Sequence, residues 1–140
     1  MKAEVEAALA ELEDKSSGGA VRHRADAEGG AWVLVEAVEI GVAFEPSLSG
    51  VGFHVTHSYP EAIPYPHILD AGIVHVGEGE TPNEFPAGNL PKALTRGSFT
   101  VLGEVREGIQ VSRTSPGRDP FGDTALAKLL RVIHFLRSHR

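Results

Sequence analysis

The sequence predicts an α+β fold in which one helix precedes an antiparallel sheet and a second helix follows it. Apolar residues recur at helical spacing near both ends of the chain, and the segments between them carry strand-like patterns. Pro60, Pro64 and Pro66 exclude a helix from the middle. With 140 residues, 41% of them hydrophobic, the chain is long enough for a single domain over residues 1–140 with its own core.

The first helix is predicted over residues 1–15, where one apolar stripe follows helical spacing: Val5, Ala8, Leu9 and Leu12. Residues 16–19, Ser-Ser-Gly-Gly, end it. A short strand is expected over residues 20–25, and the Gly-containing residues 26–30 form a turn. Residues 31–40 are rich in valine and do not alternate cleanly, so we expect a strand that is central or covered on both faces.

The next predicted strand, residues 51–57, alternates strictly. Val51, Phe53 and Val55 point to one face, while Gly52, His54 and Thr56 point to the other. Residues 45–50 are expected to form a loop before it. Tyr59-Pro60, Pro64 and Pro66 then fix an extended or turned backbone. Residues 67–76 read as one further strand bent near Gly72, and residues 77–91 as a long loop.

The last third of the chain predicts a hairpin and a helix. Strands over residues 98–103 and 109–112 flank a connection at residues 104–108. Asp119 is a favourable N-cap and Pro120 a favourable first helical residue for a helix that runs to about residue 137. Phe135 is placed on the outer face of this helix, among Lys128 and Arg131. The expected buried stripe is Leu126, Leu129, Leu130, Ile133 and Leu136.

Composition and charge exclude several function classes. A net charge of −6 argues against nucleic-acid binding, because phosphate contacts need clustered lysine and arginine. No apolar run approaches a membrane span, and the acidic start of the chain is unlike a signal peptide, so the expected location is cytoplasmic and no membrane partner is expected. The chain has no cysteine, which excludes disulfides, thiolate metal sites and thiol catalysis.

The histidines do not predict a metal site or a cofactor. His54 and His57 lie on opposite faces of one strand and cannot bind the same ion while that strand is regular. His67 and His75 lie on a common face if one strand carries both, but too far apart for one ion. The sequence also lacks the HExxH, phosphate-loop and GxSxG motifs. We therefore expect no metal and no cofactor.

The register of the alternating strand and the proline segment resembles the ubiquitin-conjugating enzymes, the E2 or UBC-like family. In that family, inward apolar residues at alternate positions precede a Tyr-Pro pair, and prolines follow within a few residues. Here these positions hold Val51, Phe53 and Val55, then Tyr59, Pro60, Pro64 and Pro66. The resemblance implies an N-terminal helix, an antiparallel meander, a Tyr-Pro/Pro turn, a long loop and a C-terminal helix. It also implies that the residues of the Tyr-Pro segment are structural: the Tyr59 ring is expected to pack, and the prolines to lower the entropy lost on folding.

The proline spacing is looser than in eukaryotic E2 enzymes, which usually have two adjacent prolines. Val74-His75-Val76 stands where the family has His-Pro-Asn.

The C-terminal region resembles divergent prokaryotic members of the same family. Residues 109–114, Ile-Gln-Val-Ser-Arg-Thr, and residues 117–120, Gly-Arg-Asp-Pro, resemble their strand, loop and helix start. Some of those families lack the catalytic cysteine and have a histidine after a Ser-Arg pair, where this chain has Thr114. A thioester is therefore not available, and Ser112 or Thr114 is the only candidate nucleophile in this region, through an oxyester.

Three hypotheses remain open at this stage. The first is an E2-like protein without thioester chemistry that binds or scaffolds partners, such as E1-like and ubiquitin-like proteins, in a bacterial conjugation or defence pathway. The second is an E2-like transferase that uses a Ser or Thr oxyester, or a chain whose natural cysteine has been replaced. The third is an unrelated small α+β domain that binds a ligand or dimerises. The sequence does not determine the oligomeric state.

Overall fold

The computed structural model describes residues 1–15, 19–76, 90–91, 93–112 and 124–138. These residues form an α+β fold with a helix at each end and an antiparallel sheet between them, as the sequence predicts. The elements in chain order are α1 (Ala3–Lys15), β1 (Val21–Ala25), β2 (Ala31–Glu39), β3 (Phe44–Glu45), β4 (Leu48–Val55), β5 (His67–Asp70), β6 (Val74–His75), β7 (Leu94–Val101), β8 (Glu104–Val111) and α2 (Ala125–Arg137).

The main sheet has six strands in the order β1-β2-β4-β5-β8-β7, and each neighbouring pair is antiparallel. Its first four strands follow chain order once β3 is set aside, because β3 pairs with β6 in a separate two-stranded ribbon. The final hairpin joins the sheet through its second strand: β8 lies beside β5 and β7 forms the far edge. A meander of four strands is thus extended by a hairpin.

Both helices cover one face of the sheet, where the main core lies. Val33 pairs with Phe53 and Val35 with Val51 across β2 and β4, and all four side chains are buried. The predicted stripe of α1 is confirmed, since Val5, Ala8, Leu9 and Leu12 are all buried. Each large apolar side chain buried in this way contributes about 1.5–3 kcal/mol through the hydrophobic effect.

Strand β2 contains a bulge that explains its irregular sequence pattern. Its register against β4 shifts between Val35 and Val38, and Ala37 within the bulge has a positive φ of 53°. The extra residue lets Val35 and Val38 both reach the core although they are three positions apart. Coverage on both faces is also confirmed, because Leu34 on the opposite face is buried.

A second, smaller core lies on the sheet face opposite the helices. It consists of buried Leu34, Ile68 and Val101, with Phe99 and Leu102 packed against them. Val101 is at the end of β7, yet its side chain lies over Gly52 of the central strand β4. The β7–β8 hairpin therefore curls back across this face, and the Arg24 guanidinium donates a hydrogen bond to the Leu102 carbonyl oxygen at 3.4 Å.

Gly108 of β8 lies close to β5, where there is no room for a side chain. Its replacement by alanine is expected to lower the free energy of unfolding by about 1–3 kcal/mol. A Cβ atom there would lie 2.8 Å from Ile68 Cγ2 and 3.0 Å from the Leu69 carbonyl oxygen, which belongs to a paired strand and cannot easily move. Gly72→Ala is the matched control, because no atom lies within 4 Å of the added methyl group. Urea denaturation measures both, and equal stabilities of the two variants would contradict the packing argument.

Two sequence predictions about the strands are wrong. Residues 67–76 form two strands in different sheets, because the chain turns at residues 70–73 and leaves the main sheet. The Arg96 guanidinium stabilises that turn by donating hydrogen bonds to the carbonyl oxygens of Ala71 at 3.0 Å and Ile73 at 2.9 Å. Residues 45–50 are not a continuous loop, since β3 includes Glu45 and β4 begins at Leu48.

The predicted hairpin connection at residues 104–108 is also wrong. The strands β7 and β8 are longer than expected and the turn consists of Leu102 and Gly103. Both turn residues have positive φ values, 52° and 80°, as a type I′ turn requires. Residues 104–108 therefore pair in the ladder.

Helix α2 differs from its prediction at the N-terminus and on its faces. It begins at Ala125, and Thr124 is the N-cap, with its Oγ1 accepting from the Ala127 amide at 3.0 Å. The predicted cap, Asp119, lies outside the described residues. Leu130 is 42% exposed, and Phe135 packs partly against the core. The buried face is instead Ala125, Leu126, Lys128, Leu129, Val132, Ile133 and Leu136.

Lys128 is only 4% exposed and was expected to be solvated. Its ammonium lies 5.8 Å from the centre of the Tyr65 ring, whose negative face favours a cation.

Neither helix is long and apolar enough to cross a bilayer, in the part of the chain that the structure describes. Of the predicted loop over residues 77–91, only residues 90 and 91 are among the described residues. Pro120 lies outside them.

Candidate functional site

The Tyr-Pro turn lies where the sheet meets both helices. Val51, Phe53 and Val55 all point into the helix-covered core, as their alternation predicts. The chain then turns, and the Tyr59 amide donates to the Thr56 carbonyl oxygen at 2.9 Å. The Tyr59 ring is 5% exposed and belongs to the main core. The predicted packing of this ring is confirmed.

Tyr59 also has a polar partner in the core. Its hydroxyl oxygen accepts a hydrogen bond from the backbone N–H of Ala125, the first residue of α2, at 3.1 Å. That N–H has no partner within its own helix, as for every amide of a first helical turn. Burial raises the pKa of Tyr59; the Ala125 N–H partly offsets this increase, and the Glu11 carboxylate adds to it. The phenol therefore stays neutral and holds the start of α2 against the turn.

The N-terminus of the chain is attached to the same turn. Lys2 Nζ donates hydrogen bonds to the carbonyl oxygens of His57 at 2.7 Å and Tyr59 at 3.4 Å. The three prolines differ in environment: Pro64 is buried, Pro66 is half-buried and Pro60 is exposed. The turn thus connects α1, β4 and α2.

Ser112, the first candidate nucleophile, lies exposed immediately after β8. Its backbone N–H donates to the Ala93 carbonyl oxygen at 2.7 Å, and its Oγ accepts from the Gln110 side-chain amide at 2.8 Å. An amide donor does not remove a proton from the hydroxyl, so these contacts do not activate it. Thr114, the second candidate, lies outside the described residues.

His67 is near Ser112 along the ladder but on the opposite face of the sheet. It pairs with Val111, and its ring lies 4.9 Å from that of Phe53 in the helix-covered core. Because side chains alternate, Ser112 points away from the face that Val111 and His67 share. The structure therefore does not bring this base and this hydroxyl together.

The His67 side chain is itself unusual, because it is fully buried and neither ring nitrogen has a hydrogen-bond partner among the described residues. Burial lowers the pKa of His67 to about 3, and the positive charge of Lys128 adds to the effect. The ring is therefore neutral at physiological pH and packs as an apolar group.

A polar cluster that the sequence did not predict lies on the other face of the sheet. His54 Nε2 is 2.6 Å from Asp26 Oδ2, and the His54 ring stacks on Trp32 with centroids 3.8 Å apart and planes 14° apart. Asp26 Oδ1 also accepts from the backbone amides of Glu28 at 2.8 Å and Gly30 at 2.9 Å. The outward direction of His54 was predicted, but its partners depend on the register that places it opposite Trp32.

Asp26 fixes the orientation of the His54 ring. Burial raises the pKa of Asp26, but the hydrogen bonds from His54, Glu28 and Gly30 outweigh it, so the pKa lies below its ordinary value of 3.8. A carboxylate that holds one imidazole nitrogen is a common support for acid–base or metal-binding histidines. Among the described residues, however, no group of three His, Asp or Glu side chains is placed to hold a metal ion.

The Asp26→Asn variant is expected to lose about 1.5–3 kcal/mol of unfolding free energy at neutral pH, because a charged acceptor is removed from three hydrogen bonds. The stability due to the carboxylate is present above pH 3.8 and is lost as the pH falls through the lowered folded-state pKa. The difference from wild type should therefore shrink in acid. Trp32 is the only tryptophan, so its fluorescence also reports whether the His54 ring remains stacked on it.

These features define an α+β protein whose six-stranded antiparallel sheet is joined to both helices through a buried tyrosine turn. No family model, no curated protein and no solved structure matches this chain.

Proposed function

We propose that this chain is a UBC-like protein without thioester chemistry, which acts through protein contacts in a bacterial ubiquitin-like conjugation or defence pathway. The observation that carries the proposal is the Tyr59 turn in a chain with no cysteine. The ring is buried at the position where the family resemblance places it, directly after the inward-facing Val51, Phe53 and Val55.

The sheet gives further support to the UBC-like part of the proposal. An N-terminal helix is followed by β1, β2, β4 and β5, which are neighbours in chain order, and a C-terminal helix packs on the same face. The β7–β8 hairpin extends the sheet beyond this plan and covers its second face. We regard the hairpin as an addition to the meander that the resemblance implies.

The surroundings of Ser112 favour binding over catalysis. Conjugation through a thioester requires a thiolate, and the chain has none. An oxyester on Ser112 would require a base within hydrogen-bond reach. The observed partner of its hydroxyl is the Gln110 amide, and His67 faces the other side of the sheet.

The binding proposal is tested with the purified chain and cognate E1-like and ubiquitin-like proteins from the same organism. We expect isothermal titration calorimetry to detect binding of at least one of them. Failure to bind either protein would overturn the pathway assignment.

The non-catalytic part is tested separately by incubation with both proteins and ATP, followed by intact-mass spectrometry. We expect no covalent adduct. An adduct on the native chain that disappears in Ser112→Ala would instead support the oxyester transferase.

A further inference from the structure

The first strand, β1, forms one edge of the main sheet. Its only partner strand among the described residues is β2, against which it runs antiparallel from the Val21–Val35 pair to the Ala25–Ala31 pair. The backbone bonds that flank this ladder join residue 26 to residue 30 and residue 36 to residue 20. Since hydrogen-bonded positions alternate in an antiparallel ladder, the even-numbered residues of β1 direct their backbone groups towards β2.

The odd-numbered residues of β1 therefore direct their backbone groups away from the sheet. Val21, His23 and Ala25 each place an N–H and a C=O along the outer edge, and His23 and Ala25 are exposed. The strand contains no proline and no register shift against β2. Its outer edge can accordingly accept a further strand through regular backbone hydrogen bonds.

The side chains of β1 make this edge basic in a chain with a net charge of −6. Arg22 and Arg24 are exposed and project from the same face, since they are two positions apart. Their contacts in the fold are weak: the Arg22 side chain is 60% exposed and 3.7 Å from Glu36, and Arg24 donates to the Leu102 carbonyl oxygen at 3.4 Å. Both guanidinium groups remain accessible to carboxylates on an added strand.

The same charges oppose pairing between two copies of this chain. If two β1 strands paired antiparallel about a two-fold axis at His23, Arg22 of each copy would lie directly opposite Arg24 of the other. Like charges directly opposite each other destabilise an antiparallel pair. The opposite edge, β7, lacks this pattern: its arginine, Arg96, donates to the Ala71 and Ile73 carbonyl oxygens within the fold.

We propose that the outer edge of β1 binds an extended acidic segment of a partner protein as an additional strand. Backbone groups of Val21, His23 and Ala25 supply the hydrogen bonds. Carboxylates at alternate positions of the added strand contact Arg22 and Arg24 and select an acidic sequence. This interaction does not depend on the family assignment or on the binding of a ubiquitin-like protein.

The test uses the full chain and a short synthetic peptide of threonine and valine with glutamate at alternate positions. The comparison peptide has lysine in place of glutamate. Titration followed by NMR should shift the backbone amide signals of Val21, His23 and Ala25 with the acidic peptide and slow their hydrogen exchange. No binding, equal binding of both peptides, or shifts confined to another surface would overturn the proposal.

A charge-reversal variant separates this edge from general electrostatic attraction. Arg22→Glu/Arg24→Glu should weaken acidic-peptide binding by about tenfold or more and should favour the lysine peptide. Arg106→Glu/Arg131→Glu is the matched control, because it changes the net charge equally at exposed positions outside β1. If both double variants lose affinity equally, or if the wild type instead dimerises through β1, the inference is wrong.

Discussion

Replacement of Tyr59 by alanine is expected to lower the free energy of unfolding by about 3–5 kcal/mol, as for other large aromatic side chains removed from a core. The ring is 5% exposed and contacts the main core, so its removal leaves a cavity beneath the turn. Chemical denaturation followed by circular dichroism measures the change. A loss below about 1 kcal/mol would show that the ring does not hold the turn in solution.

Tyr59→Phe separates the hydroxyl group from the ring. It keeps the packing but leaves the Ala125 N–H without its acceptor, at an expected cost of about 1–3 kcal/mol. The effect should be local, so hydrogen exchange at Ala125 should accelerate more than exchange in the sheet. A phenylalanine variant as unstable as the alanine variant would contradict this division between ring and hydroxyl.

The second large effect is a loss of stability in mild acid caused by His67. Its folded-state pKa of about 3 is below its ordinary value of 6.5, so the unfolded chain takes up a proton that the folded chain does not. The stability that this neutral histidine supports is fully present above pH 6.5 and falls as the pH decreases towards 3. Between roughly pH 6 and pH 4 we expect a loss of about 2–3 kcal/mol from this residue.

The His67→Leu variant tests this assignment, because it removes the titrating group and leaves an apolar side chain in an apolar site. Its free energy of unfolding should depend much less on pH over the same interval. His134→Gln is the control, since it removes a different histidine, one that is exposed on α2. If wild type and His67→Leu have parallel pH profiles, the buried histidine is not the cause of the acid sensitivity.

The strands show which local sequence patterns are sufficient to predict burial and turns. The alternation of residues 51–55 indicates which side chains enter the core, because a strand with one covered face can hold only one phase of that pattern. The hairpin turn was missed because leucine occupies a position with φ of 52° where asparagine or aspartate is usual. In the folded chain Leu102 packs against the second core of Leu34, Ile68 and Val101, a contact that the local sequence does not reveal.

The buried face of α2 depends on which segments pack beside the helix. Leu130 is 42% exposed, although its spacing from Leu126 and Ile133 suggested burial. Lys128 is buried, and its ammonium group lies over the ring of Tyr65, a residue of the proline segment. A helical wheel cannot include a neighbour that is distant in sequence.

In the candidate site too, the sequence identifies some residues, and only the fold shows which of them lie together. Ser112 was found from its place in the chain, but only the ladder shows that His67 and Ser112 face opposite sides of the sheet. The Asp26–His54–Trp32 cluster was missed, since its members come from a turn and two strands that meet only through the β2–β4 register.

The sequence by itself therefore determined the periodic features: the two helices, the inward side of the alternating strand, the packing of Tyr59 and the exclusion of thiol chemistry. Each depends on spacing or composition within a short segment. The tertiary structure alone decided the strand order, the curl of the final hairpin, the buried positions of Lys128 and His67, and the exposed basic edge of β1. These depend on contacts between distant segments, whose free energy no local pattern contains.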